Sequence, residues 1–409
     1  MPRVKPFRAV RPSPEKAAQV ASVPYDVVNR EEAVELAQGN PDSFLHVVRP
    51  DIDLPAETNP YADEIYTTAA KNLQRMIQDG VLEQDFSDSV FLYRQIMDGK
   101  SQVGIVCCCH VEDYENDRIK KHEFTRPAKE DDRTRHVMTL GAHAGPVFLT
   151  YRDDESVNAR VEAAIRSEPL YDFVADDGVQ HTVWKIDEPA EYILRLTNVP
   201  DFYVADGHHR AASAWRAGKD RREANPTHQG DEEYNWFLTV LFPASQLKIL
   251  AYNRVIKDLN GKSSDEVLSQ LSAVGEVVET DQPIPTSAGQ FCVYLGDKWY
   301  RVSVPAESID QNDAIESLDV AILERRVIGP IFGINDVRTD PRIDFVGGIR
   351  GTGELEKRVD SGEWAFAVSM YPTSIEQLMA VSDAGEVMPP KSTWFEPKLR
   401  SGLLVHLLD

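Results

Sequence analysis

The chain has 409 residues, of which 42% are hydrophobic and 27% charged, a composition typical of a folded protein with a sizeable core. Its net charge of -23 disfavours nucleic-acid binding unless basic residues are concentrated in one patch. The sequence shows no secretory signal, no apolar run of the roughly 18 residues that a membrane span needs, and too few cysteines for a disulfide framework. We therefore expect a cytoplasmic protein that has no membrane partner.

Capping and turn residues define most of the predicted elements. Asn29 and Glu32 have the spacing of a capping box, which predicts a helix that ends at Gly39. Asp-Gly or Gly-Asp pairs at 98–99, 177–178 and 296–297 predict three hairpins. Apolar spacing predicts further helices over 61–80, 264–273, 314–326 and 374–381, strands over 235–242 and 247–256, and a buried strand containing Cys107, Cys108 and Cys109.

The mixture of hairpins and helices predicts an α+β fold with a mixed or antiparallel sheet and flanking helices. We expect two regions, an N-terminal α+β region over 1–235 and a C-terminal α+β region over 236–409 that packs against it. Neither a strand–GxGxxG–helix unit nor a GxxxxGK[ST] loop is present, so the common nucleotide-binding motifs are missing.

The stretch "YVADGHHRAASAW" predicts a strand, a sharp turn and a helix that places His208, His209 and Arg210 in its first turn. The free N–H groups of a first turn bind phosphate, Arg210 can clamp it, and the histidines can donate hydrogen bonds or move protons. Gly207 permits the turn and close approach of a ligand. Asp206 would bind Mg²⁺ or a substrate hydroxyl. The alternative is that Asp206 caps the helix and the histidines are surface residues.

A segment rich in Lys, Arg and His follows the first hairpin, over 118–151. Within it, Glu123 is the candidate general base, flanked by His122 and Thr125 as candidate substrate contacts. Arg133 is the candidate second phosphate contact. The segment is predicted to be a lid over a charged ligand, and the alternative is a mobile charged loop.

Two further loops carry candidate ligand contacts. Lys391 follows two prolines near the C-terminus and is a candidate phosphate contact, although the same loop can simply hold the last strand in place. Tyr25 and Asp26 either line the binding pocket or form a simple turn.

Several segments together give the chain a family resemblance. "VPYDVV", "IKKHEFT", "EDDR", "YVADGHHR", "LDVAILERRVIGPIFGI" and "MPPKSTWFEPKLRSGL" resemble the domain of unknown function 1015 family over nearly the whole chain. The "ADGHHR" turn is also similar, more remotely, to the phosphate-binding motif of the ParB/sulfiredoxin-like fold, whose free-serine kinases carry Asp-Gly-His-His-Arg. The resemblance implies a ParB/sulfiredoxin-like core with large elaborations.

That second resemblance implies a function for the motif residues. His208, His209 and Arg210 would hold nucleotide phosphates, Asp206 would bind Mg²⁺ or the substrate hydroxyl, and Glu123 would be the base. The chain would be a kinase of free L-serine that uses ATP or ADP. The alternatives are a nucleotide-binding regulatory or partition-like protein that transfers no phosphate, and a phosphatase or nucleotide hydrolase that uses the same anion site.

Overall fold

The computed structural model describes residues 1–409, which form two compact units. The first unit comprises Met1–Lys121, Thr125–Leu247 and Pro397–Asp409. The second unit comprises His122–Phe124 and Lys248–Glu396. This division differs from the predicted boundary at residues 235 and 236, because the next strand and the C-terminal residues both belong to the first unit.

The strands are short to medium in length and occur throughout both units. They are β1 (Val4–Lys5), β2 (Val10–Pro12), β3 (Leu82–Gln84), β4 (Val90–Met97), β5 (Lys100–His110), β6 (Ile119–Lys120), β7 (Ala142–His143), β8 (Val147–Tyr151), β9 (Tyr171–Val174), β10 (Gln180–Ile186), β11 (Phe202–Asp206), β12 (Trp236–Pro243), β13 (Lys248–Leu250), β14 (Tyr252–Ile256), β15 (Glu276–Glu279), β16 (Gln290–Leu295), β17 (Lys298–Ser303), β18 (Ile343–Gly347), β19 (Phe366–Met370), β20 (Trp394–Glu396) and β21 (His406–Leu407).

The helices alternate with these strands along the chain. They are α1 (Ala17–Val20), α2 (Arg30–Ala37), α3 (Leu45–Val48), α4 (Asp63–Gln78), α5 (Val111–Glu115), α6 (Pro127–Leu140), α7 (Glu155–Ala164), α8 (Ala190–Leu196), α9 (His208–Ala224), α10 (Ser264–Leu271), α11 (Asp319–Leu323), α12 (Gly329–Phe332), α13 (Gly353–Asp360) and α14 (Ile375–Asp383). Short 3₁₀ turns and one π-helical turn (Glu324–Ile328) complete the set. None of the helices is both long and apolar enough to cross a membrane.

The first unit contains a mixed sheet with the strand order β6-β11-β8-β12-β5-β4-β10-β9, and β1 also pairs with β5. β11 is parallel to β6, and β12 is parallel to β8. The remaining neighbours are antiparallel. β12 therefore lies in the middle of this sheet, which is why the first unit extends beyond residue 235.

Packing in the sheet of the first unit is tight, and β5 shows this clearly. The three cysteine thiols of β5 are fully buried, as the sequence predicted for that strand. A Cβ atom at Gly104 would lie 2.5 Å from Val240 Cγ1, so only glycine lets β12 approach so closely. We infer that the sheet is a rigid base for the loops at its edges.

The second unit contains an antiparallel sheet with the strand order β15-β17-β16-β19-β14-β18. Its core includes Cys292, Tyr294 and Trp299, which pack against Leu355 of α13. Both units thus have their own sheet and core, and the predicted α+β class with a mixed sheet is confirmed.

Most of the predicted elements are present at or near their expected positions. The Asn29–Glu32 capping box begins α2, and the three predicted hairpins turn where the sequence placed them. The predicted helix over 314–326 is shorter at its start, because α11 begins at Asp319 and continues as a π-helical turn. The predicted hairpin at 177–178 supplies β9 and β10 to the sheet.

Candidate functional site

The junction between β11 and α9 has the strand–turn–helix form that the sequence predicted. Gly207 adopts φ +93°, a left-handed conformation that favours glycine, and α9 begins at His208. No side chain caps the start of α9. A Cβ atom at Gly207 would lie 3.0 Å from Arg210 Nε, so the glycine also makes room for that guanidinium. The first turn of α9 is therefore available to an anion.

Asp206 is surrounded by donors. Its Oδ1 accepts a hydrogen bond from the Gly207 N–H at 2.9 Å, and its Oδ2 lies 3.2 Å from Lys398 Nζ and 3.8 Å from Arg210 Nη2. Burial raises the pKa of Asp206, but the two cations outweigh that effect and hold the pKa far below its usual range. The carboxylate is ionised and neutralises the cations, and it does not cap α9 as the alternative interpretation required.

His208 and His209 have different local environments. Burial, reinforced by the nearby charge of Arg210, lowers the pKa of His208 to about 4, so its ring is neutral at pH 7. The Nε2 atom of His209 accepts a hydrogen bond from the Arg126 N–H at 3.0 Å, next to the first residue of α6. This bond leaves only Nδ1 of His209 as a ring donor. Neither histidine is placed as a cationic phosphate clamp, so the cations at this junction are Arg210 and Lys398, both beside Asp206.

A cavity in the first unit brings together three of the predicted site residues. Tyr25, Arg133 and Arg210 all line it, and its volume is about 40 Å³. The Arg133 guanidinium lies over the Tyr25 ring at 4.2 Å, and the Arg210 Nε is buried without a hydrogen-bond partner. Burial raises the pKa of the Tyr25 hydroxyl, which stays protonated and can donate. Two cations and one hydroxyl donor thus face the same space.

The Arg133 side chain is held in place by neighbouring side chains. Its Nη2 lies 2.8 Å from Asp132 Oδ2, and Asp132 also accepts a hydrogen bond from the Tyr66 hydroxyl at 2.8 Å. Both members of the Arg133–Asp132 pair are largely buried. Arg133 therefore contacts the cavity as part of a fixed network rather than as a loop residue, because residue 133 lies inside α6.

The other two candidates of the first unit, Asp26 and Thr125, lie outside the residues that line this cavity. Asp26 is exposed on the turn that carries Tyr25. Thr125 donates its hydroxyl to Glu130 at 2.7 Å, a local bond at the start of α6. The predicted lid is therefore in part a regular helix, α6, over 127–140.

Three of the predicted residues belong to the second unit. His122 is buried, its Nε2 lies 3.4 Å from the Thr393 hydroxyl, and its carbonyl accepts a hydrogen bond from the Met388 N–H. Glu123 follows it and is half-buried. Lys391 has φ +58° and places its ammonium over the Tyr252 ring at 5.4 Å. Lys391 and His122 thus have local contacts inside that unit.

Sequence reasoning missed two features of the site. Lys398 is the ion-pair partner of Asp206, although the two residues are 192 positions apart. His143 lines the cavity and pairs with His406 across β7 and β21. The only sequence signal for Lys398 is a lone lysine in "EPKLRSGL", and no local pattern marks His143.

Comparison with known proteins gives a family and several distant structural matches. The model of a protein family of unknown function, DUF1015, matches residues 4–321. No curated protein matches the sequence.

Solved structures match at low similarity. A conserved hypothetical protein from Pyrococcus furiosus is 15% identical with a TM-score of 0.36, and the match covers 74% of this chain and 95% of that one. A free serine kinase in complex with AMP is 14% identical with a TM-score of 0.35, covering 74% and 91%. SbnI with a C-terminal truncation, from Staphylococcus aureus, is 12% identical with a TM-score of 0.40, covering 74% and 87%.

Proposed function

The chain belongs to the DUF1015 family of proteins of unknown function, and we propose that it is a phosphotransferase that moves a phosphoryl group from a nucleotide to a small hydroxylated molecule. The observation that carries this proposal is the cavity of the first unit that both Arg133 and Arg210 line. The finer form is an ATP- or ADP-dependent kinase of free L-serine, with a ParB/sulfiredoxin-like core. That form follows the resemblance of the "ADGHHR" turn.

Phosphate would bind at the first turn of α9. The first N–H groups of α9 lie at the positive end of the helix dipole, and no side chain caps them. Arg210 adds a buried Nε donor that has no protein partner. Charge-assisted bonds from a fixed arginine are among the strongest available to a phosphate oxygen. Such donors also stabilise the charge that spreads over a phosphoryl group during transfer.

Arg133 would neutralise a second part of the ligand. It is held by Asp132 and by the Tyr25 ring before any ligand binds, so little side-chain entropy is lost on binding. Two arginines that line one cavity offer fixed donors to a polyanionic ligand in a protein whose net charge is -23. Both guanidinium groups are paired with carboxylates, Arg133 with Asp132 and Arg210 with Asp206, so the site offers placed donors rather than an excess of positive charge.

Asp206 does not fit the role of Mg²⁺ ligand in the arrangement that the structure shows. Both of its oxygens are engaged by donors, from Gly207 and from Lys398. No group of three or more His, Cys, Asp or Glu side chains that could hold a metal ion occurs in residues 1–409. Mg²⁺ usually reaches a phosphotransferase with several waters and the nucleotide phosphates, and it would supply charge neutralisation there. We therefore assign Asp206 to charge balance at the junction.

The remaining predicted roles stay proposals. Glu123 would take the proton from the acceptor hydroxyl, with His122 and Thr125 as substrate contacts. Asp26 would contact the substrate beside Tyr25, and Lys391 would contact phosphate. His208, which is neutral at pH 7, would donate or accept a single proton rather than supply charge.

A product assay tests this function. The full chain is incubated with Mg²⁺, ATP or ADP, and L-serine, and the mixture is analysed by mass spectrometry for phosphoserine. A phosphorylated product that requires both nucleotide and acceptor supports the proposal. Inorganic phosphate without a phosphorylated acceptor would indicate a hydrolase. Nucleotide binding with no turnover, across a panel of hydroxylated small molecules, would indicate a regulatory protein and contradict the proposal.

A further inference from the structure

A buried serine in the first unit has a hydroxyl group that no protein group uses. Ser401 lies in the C-terminal segment of this unit, is only 3% exposed, and lines the cavity together with Arg133 and Arg210. Its N–H donates to the Ser22 carbonyl at 2.8 Å, and its carbonyl accepts a hydrogen bond from the Ser22 N–H at 3.0 Å. Both backbone groups are therefore occupied, whereas the hydroxyl forms no hydrogen bond within the protein.

The Ser401 hydroxyl lies beside Gly145, which also lines the cavity. A Cβ atom at Gly145 would lie 3.1 Å from Ser401 Oγ and 3.9 Å from Arg210 Nη1, so the hydroxyl and the guanidinium approach the same small space. The Ser401 oxygen is not enclosed, in contrast to Arg210 Nε. Arg210 Nη1 donates one hydrogen to the Pro146 carbonyl, and its second hydrogen remains for a ligand. Two donors thus meet where residue 145 has no side chain.

The chain on each side of Ser401 is held in place. Before it, the Arg400 N–H donates to the Tyr93 hydroxyl at 3.3 Å. After it, a Cβ atom at Gly402 would lie 2.6 Å from Phe44 Cβ, so the segment packs directly against that residue. Ser401 is therefore positioned before any ligand binds, and little conformational entropy is lost when its hydroxyl donates to a ligand.

A second serine on the same cavity shows that the open hydroxyl is particular to Ser401. Ser213 also lines the cavity and is 1% exposed, but its hydroxyl donates to the Arg210 carbonyl at 3.0 Å. Serines inside helices commonly form such a bond to the preceding turn. Buried polar groups in native proteins nearly always have a partner. We therefore expect a bound molecule to supply the partner of Ser401.

The neighbouring donors specify the chemistry of that partner. A guanidinium group can only donate, so a group that contacts both Arg210 and Ser401 must offer several acceptor oxygens. A phosphoryl group offers three such oxygens. The cavity volume of about 40 Å³ corresponds to roughly three water positions, since one water needs about 10–15 Å³ of such space. A phosphoryl group therefore matches the cavity in both donors and size.

We propose that Ser401 donates its hydroxyl to an oxygen of the phosphate group that Arg210 binds, and that Gly145 leaves the room that this group needs. The assignment of the phosphate to a nucleotide rests on the proposed function, whereas the open hydroxyl does not. The C-terminal segment then contributes a ligand contact of its own to the cavity.

The test compares matched serine variants of the full chain by isothermal titration calorimetry, with ADP and inorganic pyrophosphate as ligands. Ser401→Ala should weaken binding about tenfold, because a hydrogen bond to a charged oxygen is lost. Ser213→Ala removes a hydroxyl that is already used and should bind both ligands as the wild type does. Dependence on Ser401 for ADP identifies a nucleotide phosphate, and dependence for pyrophosphate alone identifies a free phosphate compound. Equal affinities in the two serine variants, or no dependence on Ser401 for either ligand, would overturn the proposal.

Filling the space at residue 145 gives a second measurement. Gly145 does not have a positive φ, so Gly145→Ala adds a methyl group without backbone strain, and the unfolding temperature checks that the variant is folded. This methyl group should weaken ADP binding at least as much as Ser401→Ala does, and wild-type affinity would overturn the proposal. ADP binding that depends on Ser401 without phosphoserine in the product assay would support Ser401 and contradict only the phosphotransfer. Phosphoserine formation with unchanged ADP affinity in Ser401→Ala would do the reverse.

Discussion

Replacing Arg210 with alanine is expected to weaken ATP and ADP binding about a hundredfold. The change removes a guanidinium that lines the cavity and whose buried Nε has no hydrogen-bond partner. A charge-assisted hydrogen bond contributes about 1.5–3 kcal/mol, and two such bonds to one phosphate can exceed the 2.7 kcal/mol that a hundredfold change represents. Isothermal titration calorimetry at fixed ionic strength measures the effect.

Arg216 provides the matched control for this prediction. It lies on the same helix, but its guanidinium contacts Glu130 at 3.1 Å and Asp131 at 2.6 Å, outside the residues that line the cavity. Arg216→Ala removes the same charge and should change nucleotide affinity by less than about threefold, as expected for a charge screened by solvent. Arg210→Lys should have a nucleotide affinity between those of the wild type and Arg210→Ala, since lysine keeps the charge but lacks the planar, bidentate donor geometry of a guanidinium. Equal losses in both alanine variants would mean that only net charge matters.

Replacing Asp206 with asparagine is expected to lower the free energy of unfolding by about 2 kcal/mol. The change leaves Lys398 and Arg210, whose side chains are only 13% and 12% exposed, without their shared counter-charge. Breaking a buried pair typically costs 3–5 kcal/mol, and the 29% exposure of Asp206 reduces that figure. Urea unfolding of wild type and variant gives the difference.

Two further variants make this prediction specific. Asp201 lies just before β11 and pairs with Lys120 at 3.4 Å, but its side chain is 34% exposed. Asp201→Asn should therefore cost less than about 1 kcal/mol. Adding Lys398→Met to Asp206→Asn removes one of the uncompensated cations and should restore at least half of the loss. If Asp206→Asn and Asp201→Asn were equally stable, Asp206 would not be a charge-balancing residue.

The local features of the fold could be predicted from the sequence because their causes are local. The Asn29–Glu32 capping box, the glycine-containing hairpin turns and the Gly207 turn each depend on residues within a few positions of one another. The same holds for the placement of Arg210 in the first turn of α9. Backbone conformation and capping hydrogen bonds between nearby residues determine where these elements begin and turn.

The long-range features could not be predicted because no local pattern encodes them. Lys398 contacts Asp206 across 192 positions, and His143 contacts His406 across 263 positions. The segment 122–124 carries the predicted base Glu123, and it belongs to the second unit although its chain neighbours belong to the first. The "KHE" and "DGHHR" motifs therefore belong to different units, which the sequence alone did not indicate.

The position of a bound nucleotide tests the proposed phosphate site most directly. Crystals of the full chain grown with ADP would show where its phosphates lie. The expected result is a phosphate oxygen within hydrogen-bonding distance of Arg210 Nε and of the first N–H groups of α9. A nucleotide whose phosphates lie away from Gly207–Arg210 would contradict the assignment of this junction as the phosphate site.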